Sequence, residues 1–305
     1  MPTVRSLAVK ALTRIGNDAR PKEEMESLGF ELDVRDRAFL QELVYGSLRH
    51  RIELEWILDR FLDHPRDLPD ETRSNLIIAM YQIIKLRVPD WAAVNEAVEL
   101  EGRLRGLVNA VLRNSLRTRD SILSELAGME RSLGASRIKG EEFAMAASIT
   151  TSHPLWLVRR WVKRFGVEEA LALMKANNEV PPLNLRVNTL KTTRQEVLER
   201  LSSMDIEAEA ALRSPVGIRL SGTLAFRELE PLSGLVMAQD EAAQLVTLML
   251  GLVEGQRVLD ACAAPGGKAG HMAELTGDTG EVVAVESDLK RTELLRDNML
   301  RMGYK

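Results

Sequence analysis

Cysteine is nearly absent: the 305 residues contain one, Cys262. A single thiol excludes an internal disulfide and suits a reducing compartment. Histidine is almost as scarce, at four scattered positions (His50, His64, His153 and His271). Without paired cysteines the usual zinc-ligand spacings are missing, so no metal is expected. No apolar run approaches the ~18 residues that a membrane-spanning helix needs. The opening Met-Pro-Thr-Val-Arg-Ser has no apolar signal core, so export is not expected. These absences together suggest a cytoplasmic protein with no membrane partner.

An excess of positive charge is also missing. The formal net charge is -4 and the isoelectric point is near 5.8, which argues against a surface that grips nucleic acid everywhere. Basic residues are instead grouped. Arg103, Arg105, Arg113, Arg117 and Arg119 surround one expected helix, and Arg159, Arg160, Lys163 and Arg164 form a second group. Each could hold phosphates or simply solvate a helix face.

At this length two or three domains are expected. The first 120 residues read as helices, with apolar stripes at Ile77, Ile78, Tyr81 and Ile84 and at Leu104, Leu107, Val108, Val111 and Leu112. Asp36, Asp70 and Asn95 are candidate caps or first-turn residues, and Pro65, Pro69 and Pro89 punctuate the segments. Periodicity weakens over 121–150, which includes Gly128, Gly134 and Gly140 and reads as a linker. Two short helices follow His153 and stop at Pro181-Pro182. His153, Trp156 and Trp161 could stack on bases, although buried helix anchors are the commoner role. Strand-like Leu183–Asn188, helical Thr193–Leu201 and strand-like Val216–Leu220 then suggest a small α/β module. Asp240 is a candidate N-cap for a helix over 241–250. Strand 257–260, helix 269–275, strand 281–285 and helix 288–302 complete the chain as one βαβ unit plus a helix, half of a doubly wound cofactor domain.

Chemistry concentrates where the first of those strands meets its helix: Val258-Leu-Asp-Ala-Cys-Ala-Ala-Pro-Gly-Gly-Lys268. A strand, a Gly loop and a helix N-terminus in that order present backbone N–H groups to an anion. A P-loop would need Gly where Cys262 stands and Ser or Thr where Ala269 stands. The dinucleotide spacing G-x-G-x-x-G is not met either. A loop of the type that holds S-adenosylmethionine remains, with Glu286 at the end of the next strand to accept from a ribose. A plain tight βα turn is the alternative.

The string Leu259-Asp-Ala-Cys-Ala-Ala-Pro-Gly-Gly-Lys268 closely resembles the first motif of the Nol1/Nop2/Sun family of RNA cytosine-C5 methyltransferases. His153-Pro-x-Trp-Leu-Val-x-Arg-Trp161, Leu185-Arg-Val-Asn188 and Gln239-Asp240 resemble that family's pre-catalytic region. Upstream, Arg35-Asp-Arg-Ala-Phe-Leu-Gln-Glu-Leu-Val-Tyr-Gly46, Val94-Asn-Glu-Ala-Val98 and Leu107-Val-Asn-Ala-Val-Leu-Arg-Asn114 resemble the antitermination factor NusB. This arrangement resembles the bacterial Sun/RsmB type, which modifies small-subunit ribosomal RNA.

The resemblance implies a multidomain fold. An all-α NusB-like RNA-binding bundle (1–125) and a linker (126–150) would precede a pre-catalytic α/β, RRM-like module facing RNA (151–235). The start of a Rossmann-like class I S-adenosylmethionine methyltransferase domain (236–305) would follow, truncated at Lys305. It also implies that Cys262, Ala263, Ala264, Pro265, Gly266, Gly267 and Lys268 line the site for S-adenosyl-L-methionine, with Glu286, often Asp in relatives, on the ribose. The family's nucleophilic cysteines lie in later motifs, so no catalytic residue is expected before Lys305. Cys262 is then a small packing residue beside the cofactor. The expected activity is 16S ribosomal RNA cytosine-C5 methylation by a monomer, with these 305 residues inactive alone. The alternative is a non-catalytic RNA- or ribosome-binding protein with a vestigial cofactor loop.

Overall fold

The computed structural model describes residues 2–29, 32–64, 67–86, 88–134, 138–221 and 226–304. The chain divides into two compact units, Met1–Glu179 and Val180–Lys305. Among the described residues no helix is long and apolar enough to cross a membrane. Of the sequence-based expectations, Pro65 and Lys305 lie outside the described residues.

Among its described residues the first unit has helices and no strand: α1 (Val4–Gly16), α2 (Pro21–Gly29), α3 (Val34–Arg49), α4 (Arg51–Leu58), α5 (Asp70–Ile84), α6 (Asp90–Leu100), α7 (Arg105–Gly134), α8 (Gly140–Thr151), α9 (Leu155–Phe165) and α10 (Val167–Asn177). The stripe expected on α5 is in fact a helix buried nearly all round, from Leu76 to Ile83. A helix with apolar residues on every side belongs at the centre of a bundle, and α1, α3, α4, α6 and α7 surround it. Gly46 on α3 makes room for that centre, because a Cβ there would lie 2.1 Å from the Tyr81 ring. The expected caps are partly corrected. Asp36 sits in the first turn of α3 while Asp33 is the cap, its side chain accepting from Asp36 N–H at 2.8 Å. Asn95 lies inside α6 and caps nothing.

Most of the described part of the expected linker at 126–150 is helix. Helix α7 runs on to Gly134, and α8 begins at Gly140. Ile122, Leu126, Met129 and Leu133 continue an apolar face at helical spacing. Gly128 inside the helix weakens it by only ~1 kcal/mol relative to alanine. Thirty residues at 1.5 Å each make α7 about 45 Å long. Its Leu126 joins the main bundle core and its Leu133 joins a second core with Phe143, Ala147, Val158 and Met174.

The second unit opens with a four-stranded antiparallel sheet of order β2-β3-β1-β4, built from β1 (Leu183–Val187), β2 (Ala208–Ala210), β3 (Gly217–Leu220) and β4 (Val236–Ala238). Helix α11 (Arg194–Ser203) starts with a reciprocal capping box between Thr193 and Glu196. Its Val197 and Leu201 pack with Leu185, Val187, Ile218 and Leu220 on one sheet face. Strands β2 and β4 were not expected; each is three residues long, too short for alternation to register. Helix α12 (Glu241–Leu248) follows, capped by Asp240 as anticipated, with the carboxylate accepting from Ala242 N–H at 2.8 Å. The chain continues through β5 (Arg257–Asp260), α13 (Gly267–Leu275), β6 (Glu281–Ala284) and α14 (Leu289–Met302). Strands β5 and β6 pair in parallel, Asp260 opposite Ala284.

Candidate cofactor site

The loop from Ala261 to Gly266 leaves the C-terminal end of β5, where open α/β sheets bind their ligands. Val285 N–H donates to Asp260 O and Ala263 N–H to Val285 O, both at 2.9 Å, which draws the loop against the end of β6. Ala263 and Ala264 turn inward and pack with Leu295, Val282 and Met299. Gly266 takes a left-handed φ of +103°, and a Cβ there would lie 2.5 Å from Met299 Cε. Only glycine fits this position.

Five consecutive carbonyls of this loop are occupied. Ala263 O accepts from Gly266 N–H at 2.7 Å, and Gly266 O from Gly270 N–H at 2.8 Å. Side chains hold the rest: Arg291 donates to Ala264 O at 2.8 Å, Asn298 to Pro265 O at 2.9 Å, and Arg186 to Gly267 O. The first-turn N–H groups of α13, at Gly267, Lys268 and Ala269, precede the helix's own bonding and have no side-chain cap. With acceptors tied and donors open, the loop is arranged for an anion such as a carboxylate. Lys268 is half-buried and has no carboxylate within ion-pair distance among the described residues. One oxygen of Asp260 accepts from Cys262 N–H at 3.3 Å, while the other is buried without a partner among the described residues. An unpaired buried carboxylate oxygen suits a cationic or N–H-bearing group arriving beside the loop.

Glu286 stands two residues past β6 and faces this loop. One oxygen accepts from Ser287 and Asp288 N–H at 2.9 and 3.1 Å, and the other lies 3.3 Å from Arg291. The Asp288 N–H, Arg291 and the N–H groups of Ser287 and Ala264 hold its carboxyl below the usual range, so it is ionised at neutral pH. The structure therefore brings Glu286 to Ala264, and the seven loop residues with it. Cys262 is exposed on the outer side of the loop, where a cofactor could rest against it. With Ala263 and Ala264 filling the interior, its side chain faces outward.

Sequence reasoning missed what holds the loop from behind. Arg186, central in β1 and with no solvent-exposed surface, points away from the α11 face. Besides Gly267 O, its guanidinium donates to Gln239 Oε1 at 2.5 Å, Glu274 Oε1 at 2.8 Å and the Tyr304 hydroxyl at 3.0 Å. Tyr304 in turn donates to Glu274. Asn188 donates to Gly234 O and Met302 O at 3.1 and 3.0 Å. His271, buried beside them, has its pKa pushed down to about 3, first by burial and then by Arg186. The motif Leu185-Arg-Val-Asn188 was legible, but not its contact with a turn 81 residues away. The centre of the second sheet face is closed by Arg186, Gln244 and the helices α12 and α13.

Among the described residues no cluster of three or more His, Cys, Asp or Glu could hold a metal. Three family models match the chain: the NusB family over residues 2–117, a methyltransferase RsmF/B-like, ferredoxin-like domain over 153–227, and 16S rRNA methyltransferase RsmB/F over 247–305. Among similar proteins, ribosomal RNA small subunit methyltransferase B of Pseudomonas syringae is 34% identical over 98% of this chain and 64% of its own length. A probable ribosomal RNA small subunit methyltransferase B of Bacillus subtilis is 32% identical over 99% and 66%, and that of Citrobacter koseri 31% identical over 99% and 68%. The chain thus spans about two thirds of the length of these curated relatives. The crystal structure of PH0851 shares the fold, with a TM-score of 0.71 and 21% identity over 100% of this chain and 68% of that one. On sequence similarity across its whole length, this chain belongs to the ribosomal RNA small subunit methyltransferase B family.

Proposed function

We propose that these residues form the cofactor-holding part of an S-adenosylmethionine-dependent methyltransferase acting on cytosine C5 of 16S ribosomal RNA. The observation that carries this reading is the Ala263–Gly267 turn, whose carbonyls are all tied back while the helix donors stay open beside Glu286. The open N–H groups of Gly267, Lys268 and Ala269 would take the carboxylate of the methionine moiety. The unpaired oxygen of Asp260 would take its ammonium, and Glu286 the ribose hydroxyls. When bound, the sulfonium supplies an electrophilic methyl group. Cys262 and Pro265 line the exposed rim of the loop, where Cys262 bounds the cofactor by contact and not by attack.

Cytosine C5 is a poor nucleophile, and a thiolate adding at C6 makes it electron-rich enough to accept a methyl group. Cys262 is the one cysteine in the sequence, and it belongs to the cofactor loop. These 305 residues therefore bind the cofactor without transferring its methyl group.

Calorimetric titration with S-adenosylmethionine tests the assignment. Glu286→Ala should weaken binding about tenfold or more through loss of charged hydrogen bonds. Gly266→Val should abolish it by closing the left-handed turn. Binding unchanged in both variants would show that the site lies elsewhere. Methyl transfer to small-subunit RNA by this chain alone would refute the role given to Cys262.

A further inference from the structure

Helix α9 has one apolar side and one side that is wholly basic apart from a tryptophan. Val158, Leu155, Trp161 and Val162 face the second helical core, and Trp161 lies against the His153 ring with centroids 5.4 Å apart. On the outer side, at 100° per residue, Trp156, Arg159, Arg160, Lys163 and Arg164 fall within about 140° of arc. Trp156 sits in the middle of that arc and is 61% exposed. The strip contains no acidic residue, in a chain whose formal net charge is -4.

The charges on this strip are largely uncommitted. Arg159 pairs with Glu141 across to α8. Arg160, Lys163 and Arg164 have no carboxylate within ion-pair distance among the described residues, and Arg164 lies over the Phe165 ring at 5.2 Å. A favourable helix dipole accounts for Lys163 and Arg164, which occupy the last turn. It does not account for Arg160 in the middle or for Trp156 in the first turn. The two tryptophans have separate roles. Trp161 anchors the helix, whereas Trp156 packs little and stands among unpaired cations.

We propose that the outer face of α9 docks single-stranded RNA, with Arg160, Lys163 and Arg164 on consecutive phosphates and Trp156 stacked on a base. Cations beside an exposed aromatic ring are what a sequence-tolerant single-strand site needs. The closed centre of the β1–β4 sheet removes the usual stacking platform of such a module, so the stacking group must lie elsewhere. The proposal rests on an RNA substrate for this family member, but not on the cofactor assignment.

The test is fluorescence anisotropy of a labelled twelve-nucleotide single-stranded RNA of mixed sequence, titrated with the full chain. Arg160→Glu/Lys163→Glu/Arg164→Glu should weaken binding at least a hundredfold near 0.1 M salt. It should also reduce the slope of log affinity against log salt by about 2, for three phosphates at ~0.7 each. Trp156→Ala should weaken binding about tenfold with the slope unchanged, and Trp156→Phe should restore most of it. All four side chains are exposed, so circular dichroism should be unaltered. Affinities within twofold of the parent for both variants would overturn the proposal. So would a weakened triple variant with an unaffected Trp156→Ala, since plain polyanion attraction would then suffice. S-adenosylmethionine binding to the triple variant, measured in parallel, should be unchanged, which separates failure here from failure of the cofactor site.

Discussion

The bundle around α5 and the α/β segment around the glycine loop solve the problem of cohesion in different ways. In the bundle, 28 buried apolar residues among those described form one core, drawn from eight helices. Around the loop the corresponding cluster has four, Ala263, Ala264, Ala269 and Leu295. Parallel strands are normally covered on both faces, yet Leu259 of β5 is 61% exposed, as is much of Leu289 and Leu300 on α14. Cohesion there comes instead from a buried polar knot: Arg186, Gln239, Glu274 and Tyr304. An apolar core tolerates the loss of one methyl group gradually, whereas a buried ion pair fails when either partner goes. The comparison teaches that the loop is held by hydrogen bonds of fixed geometry, and the bundle by area.

Breaking the knot should give the largest effect. Arg186→Met removes the buried cationic partner of Glu274 and leaves it only the Tyr304 hydroxyl, a loss of about 3–5 kcal/mol. All four tryptophans (Trp56, Trp91, Trp156 and Trp161) lie in the first unit. In urea, fluorescence should therefore report an unchanged bundle, while amide exchange in β1 and α13 reports the loss. A variant with native protection in α13 would end the contrast drawn above. Truncations of matched size sharpen it. Leu112→Ala in the bundle should cost about 3–5 kcal/mol, and Leu295→Ala beside the loop about 2 kcal/mol, where fewer neighbours surround the cavity. Equal costs by the same two probes would show that the thin cluster is packed as tightly as the thick one.

The smallest effect is one of pH. His271 is neutral when folded, with a pKa near 3, against about 6.5 when unfolded. The unfolded state therefore takes up a proton first. Stability of the second unit is full above pH ~6.5 and falls by up to about 1.4 kcal/mol per pH unit below it. Between pH 6.5 and 5 few carboxylates titrate, so His271→Leu should flatten that slope in α13 exchange. A slope that persists in the variant would assign it to another group.

Much of this molecule was legible in the sequence because local chemistry coded it. The Asp240 cap, the glycine loop and the strand–loop–helix order each depend on a few adjacent residues. What was missed depends on distance or brevity. Strands of three residues, such as Val236–Ala238, show no period. The stripe from Ile122 to Leu133 was obscured by Gly128 and read as linker. Exposure of Trp156 and burial of Trp161 follow from helix phase, five residues apart, but only the packed core shows which phase faces inward. Nothing near Arg186 in sequence announces Gly267 or Glu274.

That last contact changes the stiffness of the loop. Arg186 belongs to a strand paired on one side with β3 and on the other with β4. A carbonyl held by its guanidinium cannot move without bending a sheet, so a glycine-rich turn acquires the rigidity of its neighbour. Flexible turns lose freedom when they close on a ligand, and that loss weakens binding. Here the freedom is surrendered when the protein folds, and a ligand would meet a surface already in its final shape.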